Sequence, residues 1–212
     1  MEVQEILTKV KNGSLSMEEA ERLLKRQPFE DLGYAKLDTH RKIRSGFAEV
    51  IFCSGKADDH LIRIVGKLYE EEGEVFGTRA SKKQYEMLRK IYPELQYDKI
   101  SRIIKIEKKG KVKAGKIAVC TAGTADIAVA EEAAQTAEYF GSNVERIYDV
   151  GVSGLHRLLS RLDQIQSANC VIAIAGMEGA LASVIGGLVD KPVISFLSLN
   201  LCANKTGSSF IK

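Results

Sequence analysis

The chain has 212 residues, 45% of them hydrophobic, with 31 Lys and Arg against 28 Asp and Glu for a net charge of +3. That is enough apolar material for one large domain or two small ones, which excludes a disordered chain, and the scattered, nearly balanced charges give no footprint for nucleic acid. No apolar run is long enough to span a bilayer, MEVQEILTKVKNG lacks a signal-type apolar core, and Cys53, Cys120, Cys170 and Cys202 form no CxxC pair, so a cytoplasmic protein without a zinc or disulfide framework is expected.

Val3, Ile6, Leu7 and Val10 recur at helical spacing and Gly13 supplies a stop. Ser16 with Glu19 three residues on is a capping-box signature ahead of Met17, Ala20, Leu23 and Leu24, so a helical hairpin opens the chain as an oligomerisation or docking element. The polar stretch FEDLGYAKLDTHRKIRSGFAEVIFCSGK follows, rich in Asp38, His40, Arg41 and Arg44, and runs into the strand EVIFC. It reads either as a solvated loop or as an anion-facing arm, because Arg41 and Arg44 lie three apart and would offer forked donors on one helical face. Residues 57–72 read as a helix, EVFGTR as a strand ending at Arg79, SKKQYEMLRKIY as a helix and SRIIKIEKK as a strand. Residues 1–110 are therefore expected to form the hairpin plus a small α/β domain, and KKGKVKAGK a solvated linker after it.

From residue 115 to 212 strand and helix alternate more plainly. KIAVC leads to a helix ending at Phe140, NVERIYDV to GLHRLLSRLDQIQ, CVIAIA to GALASVIGGLV, and PVISF closes the series. The strands are nearly continuous apolar runs, which predicts a doubly wound, flavodoxin-like or Rossmann-like parallel sheet covered on both faces. Cys120 and Cys170 lie in these strands and read as small hydrophobes. Ligands of such sheets bind beyond the carboxyl ends of the strands, so the loops of interest are CTAGTAD, YDVGVSGLHR and AGMEGA.

CTAGTAD has neither the GxGxxG nor the GK[ST] phosphate fingerprint. It offers Gly123 for close backbone approach, Thr121 and Thr124 as hydroxyls, and Asp126 at a helix N-terminus, where a carboxylate serves equally as an ordinary cap or as part of a ligand site. The second loop places His156 and Arg157 behind two glycines at a strand's carboxyl end, where histidine reads as structural or as an acid/base. The third contributes Gly176 and Glu178, the latter a carboxylate for a hydroxyl or a metal-phosphate complex, ahead of a small-residue helix suited to tight packing.

In this order and spacing, TAGTAD, DVGVSGLHRL and AGMEGALASVIGGLVDKPVI resemble the LarB family, the pyridinium-3,5-biscarboxylic acid mononucleotide synthases of nickel-pincer cofactor assembly, and more distantly the aminoimidazole ribonucleotide carboxylases (PurE) of purine synthesis. With the arm and GTRAS the resemblance covers residues 29–196. It departs from the purine enzymes where Gly123, Thr124 and Ala125 replace their loop serines and Ala180 stands near their third-loop histidine. The resemblance implies carboxylation of the pyridinium ring of nicotinic acid adenine dinucleotide at C5 and hydrolysis of its phosphoanhydride, with carbon dioxide or bicarbonate as co-substrate and Mg²⁺ arriving with the substrate phosphates.

It also implies His156 as acid/base, Asp126 and the Thr121, Gly123 and Thr124 turn with Gly176 and Glu178 around ribose and phosphates, and Asp38, Arg41, Arg44, Arg79 and Arg157 as arm and anion contacts. A C-terminal cysteine supplies the family's thiolate; Cys202 in LNLCA is either that residue displaced or a chance likeness. The alternatives are a purine-type carboxylase/mutase and a nucleotide-binding module without catalysis. A homo-oligomer, octameric by resemblance, is expected, and the 115–212 domain is expected to be incomplete at its C-terminus, with an uncovered sheet edge.

Overall fold

The structure, a computed structural model, describes residues 3–24, 29–38, 41–176 and 178–198. In chain order the elements are α1 (Val3–Lys11), α2 (Met17–Leu24), β1 (Glu30–Asp31), β2 (Lys36–Leu37), α3 (Arg41–Ser45), β3 (Ile51–Phe52), α4 (Asp58–Glu72), β4 (Val75–Thr78), α5 (Lys82–Arg89), β5 (Gln96–Tyr97) and β6 (Ile104–Ile106). They continue with β7 (Ala114–Thr121), α6 (Ile127–Tyr139), β8 (Ser142–Ile147), α7 (Leu155–Leu159), α8 (Leu162–Gln166), β9 (Cys170–Ala175), α9 (Ala180–Leu188) and β10 (Val193–Leu197), with 3-10 turns at Thr124–Asp126 and Val152–Gly154. The chain divides into two compact units, Met1–Gln96 with Ile104–Glu107, and Tyr97–Ile103 with Lys108–Lys212.

In the first unit Ile6 of α1 and Ala20 of α2 are buried, and the Ser16 hydroxyl accepts the Glu19 N–H at 3.1 Å, so the predicted cap forms. Met17, expected on the apolar face, is 70% exposed. The polar arm folds locally into the β1–β2 hairpin: Gly33 takes a left-handed φ of 83° and donates its N–H to the Asp31 carboxylate at 2.8 Å, an Asx turn that reverses the chain. A four-stranded sheet runs β3-β4-β6-β5, with β3 parallel and β6 antiparallel to β4. α4 buries Leu61, Ile64, Val65 and Leu68. α5 starts on a full capping box between Ser81 and Gln84, and the Gln84 amide also donates to the Cys53 carbonyl at 3.0 Å, tying that helix to the end of β3.

The second unit is a doubly wound parallel sheet in the order β10-β9-β7-β8. Alternate residues of β7 face opposite sides, as the two-residue period of a strand requires. Ala118 and Cys120 pack with Leu158, Ile165, Leu181 and Ile185 from α7, α8 and α9, whereas Val119 packs with Ala130 and Ala134 of α6. Helices thus cover both faces, and the chain reverses its winding between β7 and β9.

Two sequence expectations change in detail. The run GLHRLLSRLDQIQ is two helices, because the Ser160 hydroxyl takes the Arg157 carbonyl at 2.7 Å and Arg161 N–H closes a tight i to i−3 turn onto the Leu158 carbonyl at 3.0 Å. The linker is partly structured: β7 begins at Ala114, and Lys111 lies 3.7 Å over the Tyr139 ring while donating to the Tyr139 carbonyl at 3.0 Å. β10 forms the sheet's edge, with Ile194, Phe196 and Leu197 half-exposed. Among the described residues no helix is long and apolar enough to cross a membrane.

Candidate active site

A cleft of about 350 Å³ opens where the winding reverses, lined by the loops that follow β7, β8 and β9. This is the position at which open α/β sheets hold ligands, because adjacent strands send their loops in opposite directions and leave a crevice between them.

The loop after β7 supplies Gly123, Thr124 and Asp126 to the lining. A Cβ on Gly123 would meet nothing within 4 Å, so the backbone there faces open space. Asp126 stands at the N-cap of α6, yet its side chain makes no capping bond. It is 2% exposed, and its Oδ1 is buried without a hydrogen-bond partner among the described residues. A buried carboxylate oxygen without a partner costs folding free energy, about 1–3 kcal/mol for an unsatisfied group, and Asp126 gains no capping bond in return. Thr121 has a different task from the one the sequence implied: it is fully buried, and its hydroxyl accepts the Asp149 N–H at 3.0 Å, clamping the end of β7 to the next loop.

In that next loop Gly151 backs onto the first, since a Cβ there would stand 2.5 Å from the Ala122 carbonyl oxygen. Ser153 and Arg157 line the cleft. Arg157 Nη1 pairs with Asp149 Oδ2 at 2.6 Å, and Asp149 holds a left-handed φ of 60°. His156, the neighbour of Arg157 on α7, is exposed and is not among the lining residues. Gly176 and an exposed Glu178 complete the rim after β9.

The remaining predicted residues lie elsewhere in the chain. Asp38, Arg41, Arg44 and Arg79 belong to the first unit. The short helix α3 does form over Arg41 and Arg44, but the Arg44 guanidinium is already paired with Asp38 at 2.5 Å. Arg79 follows β4 directly, with a left-handed φ of 56°. Cys202 lies outside the described residues. Burial pushes the Cys53 and Cys120 thiols up to about 12, so both are inert packing groups; the Lys56 charge opposes this weakly at Cys53. Cys170 starts β9, at the strand end remote from the cleft. Among the described residues no group of three or more His, Cys, Asp or Glu could hold a metal ion.

A family model described as "LarB/PurE-like N-terminal domain" matches residues 29–109. The chain is also 38% identical over 207 residues to "Uncharacterized protein MJ0165" of Methanocaldococcus jannaschii, a match that covers 91% of this chain and 79% of that protein. The chain belongs to the LarB/PurE-like family. As a LarB/PurE-like protein it carries a carboxylase/mutase-type function, and its cleft sits at the sheet position where open α/β folds hold ligands. The sequence pointed to the three loops of this cleft and to Gly151, but not to Asp149 or Ser153. The DVG and VSG strings held the signal: a polar residue before glycine at a strand's end marks a special backbone turn.

Proposed function

We propose that this LarB/PurE-like chain carboxylates the pyridinium ring of nicotinic acid adenine dinucleotide at C5 and hydrolyses the phosphoanhydride, releasing a pyridinium-3,5-biscarboxylic acid mononucleotide and AMP. The observation that carries this reading is Asp126, whose Oδ1 is buried without a hydrogen-bond partner among the described residues, in the lining of a cleft that also holds Arg157 and a glycine-bearing turn. Carboxylate, guanidinium and open backbone match the ribose hydroxyls and linked phosphates of a dinucleotide.

In the first half-reaction a C–C bond forms between C5 and carbon dioxide, and the C5 proton leaves. His156 is the only histidine of the second unit and is the proposed acceptor of that proton; apo geometry is often looser than the reacting complex, so its position one residue from Arg157 fits the role. An electron-poor pyridinium needs a thiolate to add to the ring before it attacks carbon dioxide, and the thiolate leaves afterwards. Cys53 and Cys120 are buried neutral thiols and Cys170 stands at the wrong strand end, which leaves Cys202 as the thiol to test. In the second half-reaction water breaks the P–O–P link.

Glu178 and Asp126 place two carboxylates on one cleft, which fits Mg²⁺ delivered on the substrate's phosphates, since that ion binds through one or two carboxylates plus phosphate oxygens. When bound it would neutralise charge on the diphosphate. Arg157 anchors the diphosphate, and the Gly123 backbone leaves room for it.

The discriminating experiment offers the purified protein either this dinucleotide or aminoimidazole ribonucleotide, each with bicarbonate and Mg²⁺, and measures AMP release and carboxylated product by chromatography. Dinucleotide-dependent AMP release together with a carboxylated mononucleotide supports the proposal. Carboxylation of the ribonucleotide alone would favour the purine-type reading, and tight dinucleotide binding without turnover a binding module.

A further inference from the structure

Arg157 is a long side chain with many rotamers, and an anion site gains from having such a side chain fixed before the ligand arrives. Three features of the loop after β8 fix it. Asp149 Oδ2 holds Nη1 at 2.6 Å. Asp149 is itself held in the left-handed region, φ 60°, by the Thr121 hydroxyl accepting its N–H at 3.0 Å, while Val150 N–H donates to the Thr121 carbonyl at 2.9 Å. Gly154 leaves the space for the guanidinium: a Cβ there would stand 2.9 Å from Arg157 Nε and 3.4 Å from Nη2. The Asp149 contact runs through Nη1, and Nε and Nη2, which lie next to Gly154, are the donors left for another anion.

We propose that Asp149 is a positioning residue for Arg157, aligning the free edge of its guanidinium toward a diphosphate in the cleft, with Gly154 as the spacer that makes the alignment possible. The inference rests on the reading of the cleft as a dinucleotide phosphate site. It is not the outcome that charge alone predicts. Asp149 carries the same sign as the ligand, so removing its charge should strengthen anion binding if electrostatics dominated; the carboxylate is half-exposed and screened, and alignment is the larger effect. Non-glycine residues held in rare backbone regions also concentrate where geometry serves function.

The test measures calorimetric binding of inorganic pyrophosphate to the full chain and to Asp149→Asn, Arg157→Ala and the double variant. Asparagine tolerates the left-handed backbone, so the turn survives, and the melting temperature checks this. Pyrophosphate affinity should fall about tenfold in Asp149→Asn, as one arginine loses its alignment, and the same substitution should change nothing once Arg157 is alanine. Asp149→Glu should recover part of the affinity. Tighter or unchanged binding in Asp149→Asn, an undiminished effect in the Arg157→Ala background, or no pyrophosphate binding by the parent chain would each overturn the inference. If the coupling holds while no AMP is released from nicotinic acid adenine dinucleotide, the substrate assignment fails and the positioning role stands.

Discussion

Gly151 and Ala122 touch across two loops: any Cβ at position 151 would sit 2.5 Å from the Ala122 carbonyl oxygen, a separation that backbone atoms cannot relieve by rotating a side chain. The close approach joins the first two walls of the cleft. Gly151→Ala should therefore cost about 1–3 kcal/mol of stability, as overpacking does, and weaken ligand binding with it. Gly123→Ala, facing open space, should leave stability nearly unchanged while obstructing the ligand. Equal melting temperatures for the two variants would contradict this assignment.

Asp126 offers the opposite balance. Because its Oδ1 is buried without a partner among the described residues, the fold they form gains little from the carboxylate. Asp126→Asn is expected to melt at or above the parent temperature and to lose dinucleotide binding by more than tenfold, the pattern of a residue kept for function at the expense of stability. A fall of several degrees with binding intact would make Asp126 a structural residue.

The buried thiols set an alkaline limit. Cys53 and Cys120 have folded values of about 12 against an ordinary 9.0, so both stay protonated in the fold while the unfolded chain ionises. Their contribution is complete below pH ~9 and declines as pH rises toward ~12, by ~1.4 kcal/mol per pH unit for each thiol in that window. Urea titrations at stepped pH read this slope, and replacing both cysteines with alanine should reduce it, leaving the part set by phenols such as Tyr148, which burial and Glu131 also push up.

On the outer face of the sheet, Arg146 donates to Glu131 and Glu138, and the Tyr148 hydroxyl donates to Glu131 at 2.7 Å. Glu131 is mostly buried. Arg146→Ala should destabilise by about 2 kcal/mol because it removes the cation that two neighbouring carboxylates share, one of them shielded from water. Glu145→Gln, which breaks only the more exposed pair with Lys116, should cost less than about 1 kcal/mol. Denaturant midpoints of the two variants give the comparison.

The second unit was legible in the sequence because its central strands, β7 and β9, are apolar and largely buried, and the fold turns on that one pattern. KIAVC and CVIAIA alternate between two covered faces and leave few other arrangements. The hairpin β1–β2 was missed because each strand is two residues long, too short for any periodicity to show; only the Asp31–Gly33 turn signals it. In the cleft, Asp126 and Arg157 were recoverable from position alone, since both follow strands that the pattern had already placed. Thr121 was misjudged because a hydroxyl at a strand's end looks the same in sequence whether it faces a ligand or a neighbouring backbone. Asp149 was missed because its left-handed backbone angle and its ion pair with Arg157 leave no mark on composition or period.

The most direct test of the proposed reaction is mass spectrometry of the products formed from nicotinic acid adenine dinucleotide, labelled bicarbonate and Mg²⁺. The account predicts AMP in equal amount with a mononucleotide heavier than nicotinic acid mononucleotide by one labelled carboxyl group, and loss of both products in His156→Asn. AMP accompanied by unlabelled nicotinic acid mononucleotide would show a phosphoanhydride hydrolase without carboxylation and would contradict the central claim.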